Sequence, residues 1–349
     1  MGVSQQSIPP APETQRLARQ VHDLTADLMT PDRRLYWLDL AVTSLVTYAS
    51  LFAAVAADLP GAVRWAAGVV CVFALYRAIS FIHELTHLRA DDAPGFKAAW
   101  NILIGVPFLA PSFLYEGVHT LHHAKDRYGT ARDPEYLPLA RYRAGKIVLF
   151  AISAVAAPLA MLVRFAVVTP LSFAWPPLRR FAIARLSAMT INPVFAREDL
   201  ATSAAWRAQE IGCWLWSWTL IAAAAGGLLS PRWLIALAIL CAVTFVNQLR
   251  TLGAHAWSND GGRMSFEDQF RDSVNVPPPA LLPALWAPVG LRYHALHHLA
   301  PRLPYHALGA AHRRLFAALP AESPYHGVAQ PNLSRALRDL LARARAHGA

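Results

Sequence analysis

Apolar residues come in long blocks along this chain, and polar residues mark where each block ends. Residues 1 to about 34 are polar, with Pro9, Pro10 and Pro12. Inside that stretch Leu17, Val21, Leu24 and Leu28 recur at helical spacing against Arg16, Arg19 and Asp23. The spacing predicts an amphipathic helix, either lying on a membrane or forming a soluble tail. From Leu35 the chain turns apolar. Crossing a bilayer as a helix takes ~20 apolar residues, and about 36–57 and 62–82 satisfy this on either side of the turn Asp58-Leu59-Pro60-Gly61. Two more spans are expected at about 211–229 and 232–252, joined by Ser230-Pro231-Arg232.

Two other apolar segments are expected to stay on one side. Residues 96–115 are broken by Gly105, Pro107 and Pro111 and read as re-entrant or interfacial short helices. Residues 145–169 contain Pro158 and Arg164. They are flanked by Arg141, Arg143 and Lys146 before and by Arg179, Arg180, Arg185, Arg197 and Arg207 after. Both flanks carry the positive charge of a cytoplasmic loop. The expected fold is an all-α integral membrane protein with four transmembrane helices in two hairpins under a cytoplasmic helical cap. Its parts are an N-terminal tail over 1–34, a membrane domain over 35–315 and a C-terminal tail over 316–349. No basic segment followed by an apolar core opens the chain, so no secretory signal is expected.

Composition agrees with this pattern. Of 349 residues, 55% are hydrophobic and 15% charged, against about 25% charged in soluble domains. The formal net charge is +10. The arginines flank apolar blocks, so the partner implied is anionic lipid and not nucleic acid. Cys71, Cys213 and Cys241 lie in apolar segments without CxxC spacing, which implies neither disulfides nor thiolate clusters.

The candidate chemistry lies in histidines. His83-Glu84-Leu85-Thr86-His87 forms one box, His119-Thr120-Leu121-His122-His123 a second, and His294-Ala295-Leu296-His297-His298 a third. Residues three or four apart share a helix face. On that reading His83 pairs with His87 and His119 with His122, while His123 and His298 turn about 100° away toward a second metal. His255 leaves its span as His83 leaves its own and is expected as a ninth ligand. So many imidazoles exceed one ion, and two metals are the natural count. The boxes must then share a side, which is why 96–115 and 145–169 are not counted as crossings. Glu84, Glu116, Asp126, Asp133 and Asp260 stand near the boxes and are expected to fix the ring tautomers.

The three boxes, with spans between the first pair and the last, resemble the membrane fatty acid desaturases over roughly residues 36–315. The resemblance implies two iron ions held by His83, His87, His119, His122, His123, His294, His297 and His298, with His255 as the ninth. It implies O2 as co-substrate and an acyl chain in an apolar tunnel. Electrons would come from an external donor of ferredoxin, cytochrome or flavoprotein type. Desaturation is the expected reaction, with a hydroxylase or acetylenase of the same superfamily as the alternative. The expected location is a bacterial inner membrane with the active site on the cytoplasmic face. Some relatives place an Asn four residues before the ninth histidine; here Thr251 stands there, with Asn247 and Asn259 to either side. Two readings from other classes remain: HELTH is a literal HExxH zinc-protease motif, and paired histidines also serve haem or metal carriers.

Overall fold

The computed structural model describes residues 12–279 and 282–348. Among these the regular elements are helices, joined by a few isolated β-bridges. Four helices are long and apolar enough to cross a membrane: Arg33–Val55, Gly61–Glu84, Ala144–Ala174 and Pro231–Leu252. Their outer faces expose Leu38, Leu45, Phe52, Trp65 and Leu234 with no protein over them. Such rows of bare apolar side chains suit hydrocarbon as solvent.

The first two long helices form a tight hairpin through small residues. Thr43, Thr47, Ser50 and Ala54 are buried on one helix, Cys71 and Leu75 on the other. In lipid, helices associate through close dispersion contacts, which small side chains permit. Arg77 pairs with Asp39, which also accepts from Thr43 Oγ1 at 2.8 Å and from Tyr305 Oη at 2.9 Å.

Residues 96–115 double back. Helix Phe96–Trp100 runs into a π-turn at Asn101–Gly105, and the chain returns through Ser112–Leu114. The Asn101 side chain closes the fold. It donates to Ser112 Oγ at 2.9 Å and accepts from Ser112 N at 2.8 Å.

The expected ranking of the later segments is reversed. By length and apolarity Ala144–Ala174 stands among the four long helices, whereas a span was expected at 211–229 and none at 145–169. The helix near 211–229 is Ala204–Ala225, and its first two turns carry Arg207, Gln209 and Glu210. Ala144–Ala174 changes winding at Ala154–Ala156 and again at Arg164–Val168. Pro170 has no N–H to offer the Ala166 carbonyl, and the Trp218 indole takes that acceptor at 3.0 Å. Both flanks of this helix are tied to the histidine-bearing segments. Ala140 N donates to Trp257 O at 3.2 Å on one side, and Met189 N donates to Leu114 O at 2.7 Å on the other.

The cap wraps the third box. Helix Pro12–Thr25 buries Leu17 and Val21 against Leu296, Leu299, Leu308 and Leu315. Its apolar stripe therefore meets protein and not a membrane surface. The C-terminal stretch expected as a tail also packs back. Leu340 and Ala344 of helix Leu333–Gly348 join Tyr128, Tyr136 and Trp257. His312 is buried and bonded to Tyr325 Oη at 2.8 Å.

Asn275 pins the returning loop. Its N–H donates to Val328 O at 2.9 Å, its carbonyl accepts from Gln330 N at 2.8 Å, and its Oδ1 accepts from Leu296 N at 3.1 Å. Replacing Asn275 by Ala strands a buried N–H in the third box. The expected loss is about 1–3 kcal/mol, read as a lower thermal unfolding midpoint in detergent. Asn275→Asp keeps the acceptor and should lose less.

Candidate metal centre

Each box sits where a helix ends or begins. The first closes helix Gly61–Glu84, where Thr86 Oγ1 donates to His83 O at 2.7 Å and His87 N to Glu84 O at 3.0 Å. The second occupies the short helix Val118–His122, entered through Gly117 at φ 72. That left-handed conformation costs a glycine little. Arg197 clamps this entry by donating to Glu116 O at 2.7 Å and Phe113 O at 3.1 Å. The third is helix His294–Leu299. His255 follows the end of helix Leu234–Leu252.

All nine box and near-box histidines converge. The nitrogens of His83, His87, His119 and His297 form one group. Those of His122, His255, His294 and His298 form another, the atoms of each lying within 4.8 Å of one another. His123 Nε2 stands 2.9 Å from His119 Nε2 and 3.0 Å from His297 Nε2, which places it with the first group. In the second group His294 Nε2 lies 2.9 Å from His255 Nε2 and 3.2 Å from His298 Nε2. A metal–imidazole distance of ~2.0–2.1 Å, with ligands at right to tetrahedral angles, separates donor atoms by ~3.0–3.4 Å. The observed spacing matches that requirement.

The pairing differs from the expected one. His119 shares its group with His123, and His294 with His298, while His122 and His297 go to the opposite groups. The reason is helical. At 100° per residue, a step of four leaves two side chains ~40° apart, and a step of three leaves ~60°. Four-residue pairs therefore converge and the middle histidine diverges.

Burial makes these rings neutral donors. It lowers the pKa of His119, His123, His255, His294, His297 and His298 well below the usual range, and neighbouring imidazoles push the same way. His87 is held at about 4 by burial. His122 is the exception: burial opposes its charge most, but Asp133, Glu135 and Asp272 together raise its pKa. Among the described residues both nitrogens of His83 and Nε2 of His87 are buried without a hydrogen-bond partner. Buried polar atoms are normally satisfied. These orphaned atoms in the first group, and the Nε2 atoms of His255, His294 and His298 turned on one another in the second, fit a pair of divalent metal ions.

Carboxylates orient the rings from behind. Glu135 Oε2 lies 2.6 Å from His119 Nδ1, with Tyr115 also donating to Glu135. Asp133 lies 3.0 Å from His122 Nδ1 and is itself fixed by Gly129 N and Glu135 N, each at 2.8 Å. His255 Nδ1 meets Tyr128 Oη at 2.9 Å and Asp272 at 3.6 Å. Such contacts set the tautomer and aim Nε2 inward.

Of the carboxylates expected in this role, only Asp133 takes it. Glu84 bonds to Tyr36 Oη and, at 3.1 Å, to Tyr305 N, tying the hairpin to the cap. Glu116 pairs with Lys97, and Asp260 with Arg141 at 3.6 Å. Asp126 is exposed. Asn259 is committed to Gly129 O and Gly262 O. Glu135 and Asp272 were missed because they stand outside any box spacing, Glu135 in a loop and Asp272 at the end of the short helix Phe266–Asp272. Engagement of Glu84 by Tyr36 and Tyr305 also leaves it unlike the general base of an HExxH protease.

Asp133→Asn should weaken metal retention by about 10–100-fold, measured by competition with a chelator. Glu116→Gln should leave it unchanged, because that carboxylate touches no histidine.

The sequence profile of the fatty acid desaturase family matches residues 61–329, a range that holds all nine histidines. A protein named ceramide hydroxylase, from Caulobacter vibrioides (strain NA1000 / CB15N), is 53% identical over 332 residues, covering 94% of each chain. The histidine groups, the long apolar helices and these likenesses agree, and the chain belongs to the fatty acid desaturase family.

Proposed function

We propose that this protein is a membrane di-iron hydroxylase that acts on an acyl chain of a ceramide-type lipid. The observation that carries the reading is the 53% identity, across 94% of both chains, to a ceramide hydroxylase. Desaturation was the expectation from the histidine boxes alone. The hydroxylase alternative now has the better support, because the boxes are common to both reactions and the relative is not a desaturase by name.

His83, His87, His119, His123 and His297 would hold one iron, and His122, His255, His294 and His298 the other. Bound there, the irons supply the redox chemistry that activates O2. In hydroxylation one oxygen atom enters a C–H bond and the other leaves as water, with two electrons from an external donor and two protons. The chain's own part is electrostatic and geometric. Burial keeps the imidazoles neutral, so the centre retains a high positive charge. Glu135, Asp133 and Asp272 balance some of that charge from behind; Glu135 and Asp133 hold ring protons on Nδ1 of His119 and His122, and Tyr128 Oη, which donates to Asp272, contacts Nδ1 of His255. A cavity of about 210 Å³ lined by His123, Lys125, Phe266, Gln269 and His298 offers the external donor an approach to the centre.

Expression in a host that makes ceramide but lacks this enzyme tests the proposal. Mass spectra of the lipid extract should show ceramide that has gained one oxygen. Ceramide that has lost two hydrogens instead would return the reading to desaturation. His122→Ala and His297→Ala should each abolish the product while the protein stays in the membrane fraction.

A further inference from the structure

A second polar site lies away from the histidines, where the long helix Ala144–Ala174 ends. Helix Pro176–Leu186 and the start of helix Ala204–Ala225 enclose a cavity of about 470 Å³ there. Arg179, Arg180 and Arg207 line it, with Ser172, Thr202 and Phe173. Beneath it Glu210 is fully buried and takes two guanidinium groups, Arg164 at 2.9 Å and Arg179 at 2.7 Å. Arg179 also stacks over the Phe173 ring. Arg180 and Arg207 are exposed, and no acidic partner is recorded for either among the described residues. Glu210 thus balances Arg164 and Arg179, while Arg180 and Arg207 leave positive charge on the cavity lining.

The surroundings identify the occupant. Phe173 lines the cavity, and Leu171, Trp175 and Phe181, neighbours in sequence of its lining residues, are exposed. They continue the bare apolar surface of the long helix up to the arginines. Aromatic side chains with arginine just beyond them mark the depth of lipid headgroups. A basic pocket at that depth is complementary to a phosphate carried by a lipid. We propose that this cavity binds the phosphate of an anionic phospholipid, with Arg180 and Arg207 on the phosphate, Arg179 held in place by Glu210, and the acyl chains along Phe173 and Trp175. The site is independent of the reaction proposed above, since none of its residues touches a histidine of the metal centre.

The test uses the full-length protein in neutral detergent micelles and phosphatidylglycerol carrying a fluorescent acyl chain. Unlabelled phosphatidylglycerol should displace the probe. Phosphatidylcholine and inorganic phosphate at equal concentration should not. Arg180→Gln with Arg207→Gln should weaken binding by about thirtyfold, and Arg263→Gln, at an exposed arginine elsewhere, should not. Unchanged affinity in the double variant would overturn the proposal. So would displacement by phosphatidylcholine, which would show apolar contact alone, or by inorganic phosphate, which would show a site for a free anion. Loss of turnover with a reduced donor protein, with phosphatidylglycerol affinity intact, would reassign the patch to donor docking and equally overturn it.

Discussion

Nine imidazoles packed into one buried volume impose the constraint on which this structure depends. Unpaired lone pairs in a dry interior are costly, and protonating the rings would place like charges a few ångströms apart. The arrangement is stable when the rings are neutral and their inner nitrogens meet metal. Burial supplies the first condition for most of the nine. His122 turns its Nδ1 toward Asp133, 3.0 Å away, which leaves Nε2 to face a metal.

The rest of the fold delivers and holds those rings. Two long helices end at His83 and near His255, so membrane-embedded elements set two corners of the centre. The doubled-back segment 96–115 brings the second box to the same side as the first. Arg197 fixes its entry and Asn275 fixes the third box. The terminal helices then pack on the outside, Leu17 and Val21 against the third box and Leu340 and Ala344 behind Tyr128 and Trp257. Tyr305 joins the two levels: its N–H reaches Glu84 and its hydroxyl reaches Asp39.

Much of this was legible in the residues. The boxes announced a metal site, and apolar block lengths announced four long helices. What was not legible has physical causes. The choice between Ala144–Ala174 and Ala204–Ala225 was made on flanking arginines and on Pro158 and Arg164, which the long helix accommodates within its length. Pairing within the boxes turned on a difference of ~20° in helical phase. Glu135 lies sixteen residues from the ring it orients, and Asp272 seventeen from the His255 it backs through Tyr128, with no shared periodicity to expose them. Glu84 stands inside a box yet serves the hairpin, because its helix phase turns it toward Tyr36. Hydroxylation and desaturation use one ligand set and differ in where the substrate carbon is held, so the choice between them came from a relative and not from the boxes.

The central claim is that these histidines hold two redox-active metals. Metal analysis of the purified protein from iron-replete cells tests it most directly. The proposed function predicts close to two irons per chain, one for each histidine group. A single zinc with no iron would contradict it.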